Sequence, residues 1–343
     1  MKLKRGAYAL GLAGLLAAAC GKESAATTAA PAAGAPAATT AGSVGKIERI
    51  DPALDALVAP TAAIEKVAGG FKFTEGPLWR PDGTLWFSDV QGNVVRSVTP
   101  DGKVTVIIEN SGGASNAAPD AFIGSNGMAQ APDGSVWMVQ HAARRIVRVA
   151  PDHTLTPVVS TFEGKRFNSP NDLVFAKDGA LYFTDPPYGL AKQDDDPAKE
   201  ITFNGVYRFA NGQVQALARD LARPNGLAFS PDYKILYVNN SEAAKNLVMR
   251  YDVAADGSLS NGRVLADLTS KVDGLADGLK VDAKGNIYTS GPGGVWVLSP
   301  DGKHLGTIQP PEVPANCGWG DDGKTLYMTA VTGVYRVRTL VGR

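Results

Sequence analysis

The sequence predicts an all-β fold, a six-bladed β-propeller with four-stranded blades. Three observations carry this. The first is a hairpin unit over residues 73–89: a strand, a tight Asp82-Gly83 turn and a returning strand with Trp86. The second is that the unit recurs. Asn126-Gly127-Met128 leads to Asp133-Gly134 and Val136-Trp137; Asn171-Asp172-Leu173 leads to Asp178-Gly179 and Leu181-Tyr182; Asn225-Gly226-Leu227 leads to Pro231-Asp232 and Leu236-Tyr237. Asp277-Gly278-Leu279 and Asn316-Cys317-Gly318 repeat it with Lys284-Gly285, Tyr288, Asp322-Gly323 and Tyr327. The anchors at 75, 126, 171, 225, 277 and 316 are spaced by 51, 45, 54, 52 and 39 residues, the period of a propeller blade. The third is that no long stretch of helical periodicity occurs in the repeats, whereas 39 glycines and 22 prolines supply many short turns.

Taken in order, residues 1–20 read as an export signal: Lys2, Lys4 and Arg5, then an apolar run too short to span a bilayer. The run ends in Leu16-Ala17-Ala18-Ala19-Cys20, which resembles a lipobox and marks Cys20 for lipidation; cleavage after Ala19 by an ordinary signal peptidase is the alternative. Residues 21–45 are Ala, Thr, Gly, Pro and Ser in the main, a composition that cannot offset its ordering entropy. A flexible tether of that length reaches roughly 25–30 Å. The expected location is the cell envelope, periplasmic or anchored in the outer membrane through Cys20 alone, and the propeller domain is expected over 46–343. The sixth repeat has room for only three strands. Residues 62–68 are therefore expected to add its outer strand, which closes the ring and removes a free sheet edge.

Within each blade the anchor opens the innermost strand, and an aromatic residue on the second strand (Trp86, Trp137, Tyr182, Tyr237, Tyr288, Tyr327) packs between blades. Arg145-Ile146-Val147-Arg148-Val149 typifies the third strand. With 34 basic and 34 acidic residues the formal net charge is zero, which excludes nucleic acid as a partner class. Cys317 has no partner once Cys20 is lipidated, and reads as a small buried hydrophobe. A monomer is expected.

The repeat places the site. Innermost strands line the channel of a propeller, so Glu75, Asn126, Asn171, Asn225, Asp277 and Asn316 converge on one axis. The chain returns to that end about fourteen residues later, which brings Asp89, Gln140, His141, Asp185, Asn240 and Gly291 to the same mouth. Carboxylates and amides are costly in a packed core unless satisfied, and six in register point to a bound cation. Oxygen donors alone suit Ca²⁺ foremost, with Mg²⁺ or Mn²⁺ as alternatives. Zn²⁺ stays open, although no thiolate or histidine cluster supports it. Candidates for a general base are Asp277, at the cation; Asp172, beside Asn171; and His141. His153 and His304 are expected in solvated outer turns. Asp194, Asp195 and Asp196 read as a solvated loop or as part of a lid.

Thr74-Glu75-Gly76-Pro77, Asn168-Ser169-Pro170-Asn171-Asp172-Leu173, Tyr182-Phe183-Thr184-Asp185-Pro186, Pro224-Asn225-Gly226-Leu227 and Asp277-Gly278 together resemble the gluconolactonase, regucalcin and luciferin-regenerating-enzyme-like family. The resemblance implies a six-bladed propeller with one catalytic divalent metal, held by Glu75, Asn225, Asp277 and, as ligand or substrate contact, Asn171. It implies hydrolysis of a small-molecule sugar lactone to the aldonic acid, the metal polarising the carbonyl and positioning water. Substrate contacts are expected from Asn126, Asn171, Asp185 and Arg166. Some members have Arg-Phe-Asn-Asp, whereas here Ser169-Pro170 separates Arg166-Phe167-Asn168 from Asn171-Asp172. Two other functions suit the platform: a metal-dependent aryl-ester or organophosphate hydrolase, and a non-catalytic binding propeller tethered in the envelope.

Overall fold

The computed structural model describes residues 42–114, 121–321 and 323–343. The expected export signal, Cys20 and the greater part of the tether lie outside the described residues. Among those described, no helix is long and apolar enough to cross a membrane.

Six antiparallel sheets form the blades. Blade 1 is Thr74–Trp79, Leu85–Asp89, Val94–Val98 and Val104–Glu109; blade 2 is Ser125–Gln130, Val136–Gln140, Arg145–Val149 and Leu155–Val159. Blade 3 is Leu173–Phe175, Leu181–Asp185, Gly205–Ala210 and Gln213–Ala218; blade 4 is Pro224–Phe229, Ile235–Glu242, Lys245–Val253 and Leu259–Asp267. Blade 5 is Leu279–Val281, Ile287–Gly291, Gly294–Leu298 and His304–Gln309; blade 6 is Pro314–Gly320, Thr325–Ala330 and Gly333–Arg338. The N-terminal strand Ile64–Gly69 pairs antiparallel with Gly333–Arg338, Ile64 opposite Val337 and Gly69 opposite Gly333, and completes blade 6.

One element was not expected. Lys46–Arg49 adds a fifth strand to blade 5 beside His304–Gln309. The turn Pro52–Ala56 follows it and buries Leu54 between blades 5 and 6.

The turns explain why the hairpins form where they do. Asp82 folds its carboxylate onto the amide of Thr84 (3.0 Å), and Gly83 takes φ +83°. Asp133 does the same to Ser135, and Asp178 to Ala180. Blade 4, with its extra turn residue, puts Tyr233 at φ +61° instead of a glycine.

Packing follows the second-strand aromatics. Among the described residues the buried apolar side chains fall into six clusters, one at each blade–blade interface. Each includes one of Trp86, Trp137, Tyr182, Tyr237, Tyr288 and Tyr327 in it or packed against it. Cys317 is a free, fully buried thiol in the cluster between blades 5 and 6, where burial pushes it up to about 12. His304 departs from expectation: it stacks on Trp296 with ring centroids 3.8 Å apart and is half-buried rather than solvated.

Candidate active site

The anchors sit on or just before the innermost strands, and in blades 1, 2, 4 and 6 the anchor lies beside a register break. Pairing with the second strand shifts between Glu75 and Leu78, between Ser125 and Met128, and between Pro224 and Leu227. A bulge of this kind breaks the two-residue alternation and re-aims a side chain. The residue after the anchor is a glycine in four of the six repeats, because the next blade's backbone lies against it. A Cβ on Gly76, which has φ +53°, would stand 2.1 Å from the Asn126 carbonyl oxygen; one on Gly226 would stand 2.3 Å from that of Asp277. Glycine in these four repeats lets the neighbouring innermost strands approach this closely.

The ring has two arcs. Along the amide arc, Asn126 Nδ2 donates to Asn171 Oδ1 (2.8 Å), Asn171 Nδ2 donates to Asn225 Oδ1 (2.5 Å), and Asn225 Nδ2 donates to Ser241 Oγ (3.0 Å). Ser241 in turn donates to the Ala276 carbonyl, next to Asp277. On the acidic arc, Asn316 Nδ2 donates to Glu75 Oε2 (2.9 Å), which also accepts the Gly76 amide (2.7 Å). Glu75 is 1% exposed, and its carboxyl is pushed up to about 7 by burial against the pull of Asn316 and Gly76. Asp277, half-buried, stands against Glu75 and Asn225; burial and then the charge of Glu75 hold its carboxyl well above the usual range. Asp172 is buried, also raised, and interacts electrostatically with both.

The expected base His141 is 1% exposed and lies inside this site. Its Nε2 is 3.2 Å from Asn171 Oδ1 and its Nδ1 is 3.2 Å from the Phe122 carbonyl. Burial lowers it to about 4, so at neutral pH it is uncharged and can donate to one of these two oxygens.

Two expected contacts lie apart from the ring. Asp185 is fully buried, and its oxygens accept the amides of Asn168 and Ser169 (2.8 Å each). The side chain thus holds the segment leading to Asn171. Arg166 is exposed on the short hairpin Thr161–Phe162 and Lys165–Arg166, where its amide meets Glu200. Ser169-Pro170, set between Arg166 and Asn171, accounts for the separation.

Sequence reasoning did not single out Tyr188 or Ser241 as site residues. Residues 186–190 cross the mouth as a tight turn, Leu190 N donating to Pro187 O (3.0 Å). Ser169 pins this turn by donating to the Pro186 carbonyl (2.7 Å) and accepting the Gly189 amide (2.8 Å). A Cβ at Gly189 would stand 2.8 Å from those of both His141 and Ser169, so the strap passes directly over His141. It carries the Tyr188 hydroxyl to Asn225 and Ser241, where burial and then the charge of Asp277 raise it. Farther along, Asp194 pairs with Arg223 and with Lys199 (3.6 Å), so the acidic run clasps the strap to the strand that bears Asn225.

The donor set fits a hard cation. Oxygen is the only donor type, two carboxylates are crowded together, and Asn126 Oδ1 is a buried acceptor with no hydrogen-bond donor among the described residues. No group of three or more His, Cys, Asp or Glu shaped to hold a metal occurs among the described residues, because amides complete this set.

Residues 73–332 match the SMP-30/Gluconolactonase/LRE-like region. The chain belongs to this family. A gluconolactonase of Zymomonas mobilis is 40% identical over 309 residues, 87% of each chain. A gluconolactonase structure from Xanthomonas campestris superposes with a TM-score of 0.75 at 32% identity, covering 85% of this chain and 94% of its own. A calcium-binding regucalcin of Agrobacterium tumefaciens shares the fold, with a TM-score of 0.62 at 19% identity over 80% of this chain and 96% of its own. These agree with the resemblance carried by the motifs, and with the reading of the chain as a hydrolase of the lactonase class.

Proposed function

We propose that this chain hydrolyses a sugar lactone of the gluconolactone type to its aldonic acid, at the six-anchor ring and with one divalent cation, Ca²⁺ foremost. The observation that carries the reading is the acidic arc. Glu75 and Asp277 are packed together, burial raises both and the charge of Glu75 raises Asp277 further, opposite an arc of asparagine amides. Two carboxylates so placed stay charged together only with a positive charge between them. The 40% identity to a gluconolactonase supplies the substrate class.

Glu75, Asn171, Asn225 and Asp277 would hold the cation. When bound, it supplies Lewis-acid polarisation of the lactone carbonyl and a more acidic water. Asp277, which unlike Glu75 and Asp172 is only half-buried, would serve as the general base toward an attacking water. Neutral His141 fixes Asn171 and keeps the alternative of acting as base. Asn126 would offer its Oδ1, which has no hydrogen-bond donor among the described residues, to a substrate hydroxyl. The Tyr188 strap excludes water from above. Envelope anchoring through Cys20 belongs to the same proposal, and retention of radiolabelled palmitate in the wild type but not in Cys20→Ala tests it.

The test is pH-stat hydrolysis of glucono-δ-lactone by the full chain, stripped with chelator and then given Ca²⁺, Mg²⁺, Mn²⁺ or Zn²⁺, with the spontaneous rate subtracted. Cation-restored turnover supports the proposal. A rate equal to background with every cation, from folded protein, overturns it in favour of an ester substrate or a binding role.

A further inference from the structure

Two residues break the repeat, and they meet. The position after the anchor holds Gly76, Gly127, Gly226, Gly278 and the small Cys317; blade 3 alone puts a carboxylate there, Asp172. Three residues after the anchor stand Leu78, Ala129, Val174, Ala228 and Trp319; blade 5 alone puts a charge there, Lys280. Neither exception serves the hairpin, since five other blades form without it.

Asp172 is 4% exposed. Its Oδ1 accepts the Leu173 amide (2.8 Å), while its Oδ2 is buried with no hydrogen-bond donor among the described residues. Lys280 Nζ lies 4.0 Å from that oxygen and donates to the Leu279 carbonyl (2.9 Å). Lys280 starts from farther along the innermost strand than Asp277, toward the Lys284-Gly285 turn. Its ammonium therefore approaches the acidic arc from the end of the channel opposite the mouth. Its field reaches Glu75 as well as Asp172.

We propose that Lys280 is the resident counter-ion of the channel: its ammonium group holds Asp172 and, together with one divalent cation on Glu75 and Asp277, balances the three carboxylates, so that the ring takes a single cation. The inference rests on the cation reading above and adds a positioning residue to it. Three carboxylates with one divalent cation leave a charge of minus one, and a buried unpaired charge is strongly unfavourable. The lysine removes it from behind, out of reach of substrate. Its own charge also repels the cation, so it sets affinity as well as number.

Isothermal titration of the full chain with CaCl₂ tests this, beside far-UV circular dichroism to establish folding. The wild type is expected to bind one Ca²⁺. Lys280→Met is expected to bind it about tenfold more tightly or to take a second ion; Lys280→Arg is expected to match the wild type. Asp172→Asn, with the lysine kept, is expected to bind about tenfold more weakly, and Lys280→Met/Asp172→Asn to return within about threefold of the wild type. Should Lys280→Met not fold, Asp172→Asn decides alone, and unchanged affinity there overturns the inference. Folded Lys280→Met with wild-type affinity and stoichiometry overturns it while leaving the cation reading intact. A wild-type chain that takes up no divalent cation overturns both.

Discussion

Each hairpin brings two rings of polar side chains to the same end of the propeller, and their fates differ. Asp89 and Asp185, at the return position, are as deeply buried as the anchor Glu75. Asp89 accepts the amides of Lys72 and Phe73 (3.1 Å each) and pairs with Arg96 (3.0 Å). Asp185 accepts those of Asn168 and Ser169, and Asn240 accepts that of Arg223 (2.9 Å). Every one ties down the chain that enters the innermost strand. The anchor ring, a few ångströms inward, bonds mainly to itself: amide to amide, amide to carboxylate, carboxylate beside carboxylate. Burial with fixed backbone donors builds the fold, whereas burial with like charges stores an affinity for something positive.

The largest expected separation of the two rings comes from Glu75→Gln. Loss of one anionic ligand should lower kcat/KM by roughly 10³-fold or more and abolish Ca²⁺ uptake, with far-UV circular dichroism unchanged. Asp185→Ala and Asp89→Ala should do the reverse. Asp185→Ala orphans the two buried amides of Asn168 and Ser169, costing roughly 4 kcal/mol in denaturant melts, and Asp89→Ala costs less because Lys72 is exposed and Phe73 half-buried; KM of each folded enzyme should stay within about twofold of wild type. A raised KM in Asp185→Ala alone would instead make Asp185 a substrate contact.

His141 lies between the two rings and titrates accordingly. Its folded value of about 4 is below the ordinary 6.5, so the unfolded chain takes up a proton first as pH falls. Its contribution is present above pH 6.5 and is lost as pH falls through about 4, on the order of 3 kcal/mol in all. The raised carboxyls act in the opposite sense over the same range, so this contribution is read as the difference between urea melts of wild type and His141→Gln from pH 7 to 4, a difference that should shrink as pH falls. Full turnover with an unaltered pH profile in the same variant would remove His141 as the base. The smallest effect is expected from the clasp. Arg223→Ala removes a partly exposed ion pair with Asp194, so KM should rise about threefold to fivefold with kcat nearly constant. An unchanged KM would detach the strap from substrate binding.

The fold was legible because its signal is repeated. Anchor, turn and aromatic recur six times, and the short sixth repeat called for the strand found at Ile64–Gly69. Lys46–Arg49 was not legible, since four residues with one buried side chain show no period. The anchor ring was legible for the same reason as the fold. Hairpin length places Asp185 at the mouth, but it does not show that the segment ahead of Asn171 turns the amides of Asn168 and Ser169 onto its carboxylate. Tyr188 was hidden because its position depends on how the strap is pinned by Ser169 and clasped by Arg223, contacts between residues 17 to 29 apart with no repeat to reveal them.

The most direct measurement is anomalous diffraction from crystals of the chain soaked in Mn²⁺. The account predicts one strong peak in the channel, about 2.0–2.4 Å from oxygens of Glu75, Asn171, Asn225 and Asp277. It also predicts no peak beside Asp89 or Asp185. A peak at the return ring, or none among the anchors at saturating Mn²⁺, would contradict it.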